Sequence, residues 1–201
     1  SDKESPKRIA FLQCVGSRDQ SHDYCSSVCC MYAAKEAIMT IEHARAETRD
    51  GHGGEDVHCQ VFFMDTRAYS KGYEEYYQRA EKKYGVEYTR CRLSEVKQVP
   101  DSNNLIVRYA APYEGHNEIM EKEFDLVVLS VGMEISDSVK TLGQQLGIQL
   151  DSYGFCHTTL FDPLQTTRKG IYVAGPFREP KDIPETVVEA SGAAANAAQL
   201  L

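Results

Sequence analysis

Four cysteines near the start of the chain, Cys14, Cys25, Cys29 and Cys30, follow the spacing C-x10-C-x3-C-C. Clustered thiols in a reducing compartment more often serve metal or redox work than structural disulfides. Four thiolates from one loop can hold a 4Fe-4S cluster, which takes cysteine ligands at varied spacing. On a helix Cys25 and Cys29 stand one turn apart and face the same point. Cys30 joins them if the helix begins close by, with the cluster at its N-terminus. Helix-end amides there favour thiolate and stabilise negative charge. A structural zinc site is the second candidate, although adjacent cysteines fit the usual C-x2-4-C pairing poorly. The third is a pair of buried helix cysteines plus two unrelated thiols. In air, without a cluster, a bridge from Cys14 to one of the helix cysteines is favoured over a strained vicinal Cys29–Cys30 bond. Cys59, Cys91 and Cys156 stand alone and read as small buried apolar side chains.

The elements around these thiols set their place. Residues 9–15 form an apolar run that reads as a buried strand, ending at a turn at Gly16. From Ser26 to about His43, Val28, Met31, Tyr32, Ala34, Ile38 and Ile41 recur at helical spacing, and Ser26 or Ser27 serves as cap. The first thiol thus ends a strand and the other three open a helix, where a dinucleotide-binding fold would place its glycine loop. No G-x-G-x-x-G occurs anywhere in the chain. Residues 45–56 are charged and glycine-bearing and read as an exposed connection.

Further along, residues 57–65 read as a strand and residues 72–84 as a helix stopped by Gly85. Residues 86–91 start a third strand. Short β-prone runs and turns then follow to Phe124, and residues 125–132 read as a central parallel strand. A short helix over 139–146, a turn at 151–155 and a strand at 170–175 come next. The last helix starts near Ile183, with Asp182 and Glu185 as a capping box and Pro184 in the first turn. This order predicts an α/β fold: a Rossmann-like nucleotide-domain module over 1–135 with a small β-meander, and a second segment over 136–201.

Composition narrows the function. Net charge is -8, which disfavours a nucleic-acid surface. No apolar run has the length of a membrane span and no signal-peptide pattern opens the chain, so a cytoplasmic protein, or a piece of one, is expected. Asp65 and Arg67 stand where a Rossmann domain places ribose or phosphate contacts, but without the glycine loop they read as a solvated strand end. The tyrosines between Tyr69 and Tyr88 read as core packing with their hydroxyls reaching solvent, and His22 as an exposed loop residue rather than a replacement ligand near the thiols. No Ser/His/Asp group or paired acids argue for hydrolysis.

The wording of several segments is more specific. Residues 9–19 with Tyr24-Cys25-Ser26-Ser27-Val28-Cys29-Cys30-Met31-Tyr32-Ala33 resemble the cysteine segment of the heterodisulfide reductase family, in its iron–sulfur A subunit. Residues 63–75, residues 125–132 and Pro180-Lys181-Asp182-Ile183-Pro184-Glu185-Thr186-Val187 match the same family. The resemblance implies a thioredoxin-reductase-like oxidoreductase component that carries FAD and iron–sulfur clusters. It implies work beside other heterodisulfide-reductase-type subunits and redox proteins, in some members through flavin-based electron bifurcation. By the same resemblance Cys14, Cys25, Cys29 and Cys30 ligate one 4Fe-4S cluster, and residues 136–201 form the C-terminal part of an FAD-binding domain. Gly175, Lys181, Asp182 and Ile183 are then FAD neighbours. Pro176 stands where related disulfide reductases carry Asp, which weakens the ribityl contact. With the first half of an FAD site missing, the expectation is a fragment that binds FAD weakly or not at all and is inactive alone. The alternatives are an NAD(P)-binding domain of a pyridine-nucleotide disulfide oxidoreductase, or a zinc-stabilised docking scaffold for partner subunits.

Overall fold

The computed structural model describes residues 5–49, 56–113 and 116–199. The chain divides into two compact units. The first runs up to Val15 and resumes over Cys29–Val131; the second takes Gly16–Val28 and the chain from Gly132 onward.

In the first unit, strands β1 (Arg8–Val15), β2 (His58–Phe63) and β3 (Glu87–Arg90) join β7 (Leu126–Val131) in a parallel sheet of order β3-β2-β1-β7. Parallel neighbours need crossovers, and helices α1 (Cys29–Arg49) and α2 (Tyr73–Tyr84) supply two of them. The sequence folds this way because α1 carries its small and branched residues on one stripe. Ala33, Ala34, Ala37, Ile38 and Ile41 are buried against Ile9, Phe11, Cys59 and Val61 of the sheet. Gly85 closes α2 in the left-handed conformation at φ 75°, where a β-carbon would be strained. The other sheet face is covered by an antiparallel meander of β4 (Arg92–Gln98), β5 (Leu105–Tyr113) and β6 (His116–Phe124). Phe62 seals it, with ring centroids 4.9 Å from Tyr109 and 5.6 Å from Phe124. Layer order and strand order are those of a Rossmann-like domain.

The second unit holds α3 (Asp137–Gln145), a hairpin turn closed by a bridge between Leu150 and Cys156, a short 3-10 turn (Gly175–Phe177) and α4 (Ile183–Ala198). Ile148, Cys156 and Val173 form its small core. Asp182 caps α4, accepting from Glu185 N while the Glu185 carboxylate accepts from Asp182 N.

Three expectations need correction. β7 is an edge strand rather than a central one, bonded only to β1 among the described residues, and its Leu129 and Val131 are exposed. Its apolar run suggested burial on both faces that the sheet does not give it. Residues 170–175 are not a strand: only Tyr172 pairs, in a lone bridge to Gln165. Helix α1 begins at Cys29, not Ser26, because Ser27 takes φ 64° and breaks the helical path. It also runs on to Arg49, so the expected connection from Arg45 begins later, and residues 50–55 of it lie outside the described residues. By compactness, residues 16–28 group with the C-terminal segment.

Candidate metal centre

The first unit brings three thiols together. Cys14 is the next-to-last residue of β1, at an irregularity in the β1–β7 register between Leu12 and Val15, and its backbone is left-handed at φ 62°. A non-glycine residue there costs about 1 kcal/mol, and bulges of this kind re-aim a side chain. Cys29 and Cys30 are the first two residues of α1 and are buried, at 1% and 8% exposure. The Cys14 thiol and the Cys14 N–H both donate to the Cys29 sulfur, and Cys29 in turn bonds to Cys30. The Cys14 bond pulls the Cys29 thiol pKa down most strongly, but the bond to Cys30 and burial together outweigh it and push the thiol up to about 11. Cys30 donates to the Asp65 carbonyl at 3.8 Å.

Polar side chains back this cluster. Gln13 is buried and donates to Ser130 Oγ at 3.0 Å, while its Oε1 has no partner among the described residues. Tyr32 donates to the Val131 carbonyl at 3.0 Å; burial, with Cys29 beside it, pushes the phenol up to about 12.

Cys25 lies on the loop of the second unit, not on the helix as its spacing suggested. Its sulfur accepts the Ser27 N–H at 3.4 Å. The loop is held by its own unit. Tyr24 donates to the Met133 carbonyl at 2.8 Å and packs its ring edgewise on Tyr153 and Phe155. Ser26, fully buried, accepts the Met133 N–H at 2.9 Å. Gly132 makes room: a β-carbon there would lie 2.7 Å from Ser26 Oγ. Asp19 accepts from Ser21 N and His22 N, and the His22 ring lies 3.9 Å from both Asp19 and Glu134.

Among the described residues no three His, Cys, Asp or Glu side chains converge as ligands of a single ion. The donor chemistry nevertheless fits an iron–sulfur group. All four expected ligands are free thiols, three of them share one bonded cluster, and the strand end that carries Cys14 is strained.

The other expected site residues lie in the second unit. Gly175 is left-handed at φ 76°, and a β-carbon on it would meet Thr186 Cγ2 at 2.9 Å. Its N–H donates to Glu189 Oε2 at 2.8 Å. Lys181 is 4% exposed and ion-paired to Glu189, which also takes Arg178. Asp182 is occupied as the α4 cap, and Ile183 beside it is 80% exposed. Glu189 was not singled out in the sequence; the signal was a lone acid inside the apolar run Val187-Val188-Glu189-Ala190.

Asp65 lies two residues past the end of β2 and pairs with Arg90 at 3.4 Å, beside an open cavity of about 400 Å³ that Arg92 and Cys91 also line. Arg67 is exposed, as read. Tyr77 and Tyr88 pack edge to face at 4.5 Å as expected, but the Tyr88 hydroxyl is buried rather than reaching solvent and Tyr69 is exposed rather than packed. Cys59, Cys91 and Cys156 are buried.

A parallel sheet with crossover helices and a covering meander define a Rossmann-like α/β domain of the nucleotide-binding type. The family model of pyridine nucleotide-disulphide oxidoreductases matches residues 54–194, and the chain belongs to that family. It is 45% identical to the second iron–sulfur A subunit of the CoB–CoM heterodisulfide reductase of Methanopyrus kandleri, over 100% of this chain and 29% of that protein. It is 41% identical to the A subunit of the H(2):CoB-CoM heterodisulfide,ferredoxin reductase of Methanothermobacter marburgensis, over 98% of this chain and 29% of that protein. It is 34% identical to a protein of Archaeoglobus profundus that is named as like the A subunit of heterodisulfide reductase, over 100% and 27%. The resemblance to the heterodisulfide reductase A subunits is borne out, as is the oxidoreductase class. The chain spans less than a third of the length of these relatives. Among the described residues no helix is long and apolar enough to cross a membrane.

Proposed function

We propose that the chain is an electron-transfer module of a heterodisulfide-reductase-A-like flavin and iron–sulfur oxidoreductase. In this reading Cys14, Cys25, Cys29 and Cys30 hold one 4Fe-4S cluster that relays single electrons. The observation that carries it is the hydrogen-bonded set of Cys14, Cys29 and Cys30 at the first strand-to-helix junction, in a chain that has no glycine fingerprint there. Loading releases the thiol protons, and the side chains left facing the sulfurs set the potential through hydrogen bonds and burial. Residues 1–135 correspond in this reading to the nucleotide-domain-like module, and residues 136–201 to the C-terminal part of the FAD domain. Gly175, Lys181, Asp182 and Ile183 are the proposed flavin neighbours. One of them acts indirectly: Lys181 anchors Glu189, which fixes the Gly175 amide. When bound, FAD supplies the two-electron to one-electron conversion. The proposed partners are the other heterodisulfide-reductase-type subunits, in the cytoplasm.

Colour tests the cluster. Protein reconstituted with iron and sulfide without oxygen is expected to be brown, with broad absorption in the visible blue. A colourless product with stoichiometric zinc contradicts it and favours the docking scaffold. A second reading, NAD(P) binding, draws on the cavity beside Asp65 at the carboxyl ends of β2 and β3. Titration with NADH and NADPH separates the two; saturable binding would favour the second.

A further inference from the structure

Cys14 and Cys29 sit where two chemistries compete for the same sulfurs. We propose that, in the metal-free chain, they form a thiol–disulfide exchange pair toward small organic disulfides, and that their bridge closes the centre to iron. The exchange pair rests on the hydrogen bonding of Cys14 to Cys29, the place of Cys29 and Cys30 in α1 and the exposure of Cys14; the gating of iron rests on the cluster reading above.

Both the thiol and the amide of Cys14 hydrogen-bond to the Cys29 sulfur, which makes the two side chains neighbours. The competing pair, Cys29 and Cys30, are successive residues inside α1, and a bridge between them would force their peptide out of helical geometry. Cys30 accepts from Cys29 but directs its own thiol proton to the Asp65 carbonyl. Exposure divides the labour. Cys14 is half-buried on its bulge and can be reached from solvent, whereas Cys29 is 1% exposed. Cys14 therefore attacks and Cys29 resolves. In the first step the Cys14 sulfur bonds to one sulfur of the disulfide, and the other sulfur leaves as a thiol. In the second, Cys29 displaces the remaining half and the Cys14–Cys29 bond forms. The two thiol protons end on the two released thiols. The small disulfide gains two electrons and the chain loses two.

The experiment treats the reduced, metal-free chain with excess oxidised glutathione, quenches with acid, alkylates the remaining thiols and maps the peptides by mass spectrometry. The expected map joins Cys14 to Cys29 and shows Cys30 alkylated. A bridge through Cys25 or Cys30, or a lasting Cys14–glutathione adduct with Cys29 free, would overturn the pair. Cys29→Ser should trap that adduct on Cys14, and failure to trap it in a folded variant also overturns the assignment; the wild-type map decides the matter if the variant does not fold. Anaerobic loading with iron and sulfide then tests the gate. Oxidised chain should take up about tenfold less iron than reduced chain, with dithiothreitol restoring uptake. Equal uptake by both forms overturns the gate. If neither form takes iron, the cluster reading fails and the gate fails with it, while the peptide map still decides the exchange pair.

Discussion

Gly132 is the position where one added methyl group should tell most about how the Cys25 loop is held. A β-carbon at Gly132 would stand 2.7 Å from Ser26 Oγ and 3.0 Å from both the Gly16 carbonyl oxygen and Ser17 Cβ. Ser26 cannot simply turn away, because it is fully buried and its Oγ takes the Met133 N–H at 2.9 Å. The Gly16 oxygen is backbone and moves only with the loop. Overpacking a tight site costs about 1–3 kcal/mol, and losing a buried hydrogen bond adds about 1 kcal/mol. Gly132→Ala should therefore destabilise by about 2–4 kcal/mol, read as a lower urea midpoint at unchanged slope. Ser26→Ala removes the closest atom, so adding Gly132→Ala to it should cost about 1 kcal/mol less than in wild type. The Cys25 thiol should also become faster to alkylate in Gly132→Ala, because the loop that carries it loosens. A Gly132→Ala protein within about 0.5 kcal/mol of wild type, with Cys25 unchanged in reactivity, would refute this account of the loop.

Other substitutions probe other parts of the molecule. Gly175→Ala meets Thr186 at 2.9 Å from a left-handed backbone, and should cost about 2–3 kcal/mol in urea unfolding. Glu189 is pushed up by burial, but Lys181, the Gly175 amide and Arg178 together pull it below the ordinary carboxylate value. Its contribution to stability is therefore full above its unfolded pKa and is lost as pH falls through its lower native one. Glu189→Gln should lower stability by about 3 kcal/mol at neutral pH and flatten the fall in stability on acidification. An unchanged acid slope would contradict the ion-pair assignment. Tyr88 buries its hydroxyl with no partner among the described residues. Tyr88→Phe should leave thermal stability unchanged or raise it by up to about 1 kcal/mol, and a clear loss would reveal a hidden bond.

Much of the first unit was legible because period and punctuation agree. The stripe from Ala33 to Ile41, the apolar run of β1 and the Gly85 stop each specify one local answer, and packing did not override them. Where packing decides, local pattern misled. Leu126–Val131 has the composition of a central strand, but only its β1 side is paired among the described residues. Ser26 resembles a helix cap, yet its hydroxyl serves Met133, a hundred residues away, and Ser27 turns left-handed. That tertiary bond is why Cys25 sits on a loop instead of the helical turn that its spacing to Cys29 suggested. The meeting of Cys14 with Cys29 was readable, since a strand end and the next helix start adjoin in this fold. The Glu189 hub was not, because its partners Gly175, Arg178 and Lys181 become neighbours only once the 3-10 turn folds onto α4.

Iron and acid-labile sulfide, counted per chain after anaerobic reconstitution of wild type and of each single Cys→Ala variant, put the central claim at risk most directly. The account predicts equal iron and sulfide, in the ratio of a 4Fe-4S cluster, for wild type and for the variants at Cys59, Cys91 and Cys156. It predicts loss at Cys14, Cys25, Cys29 and Cys30. Iron retained when all four of these are replaced one by one, or lost equally at the three buried positions, would contradict it.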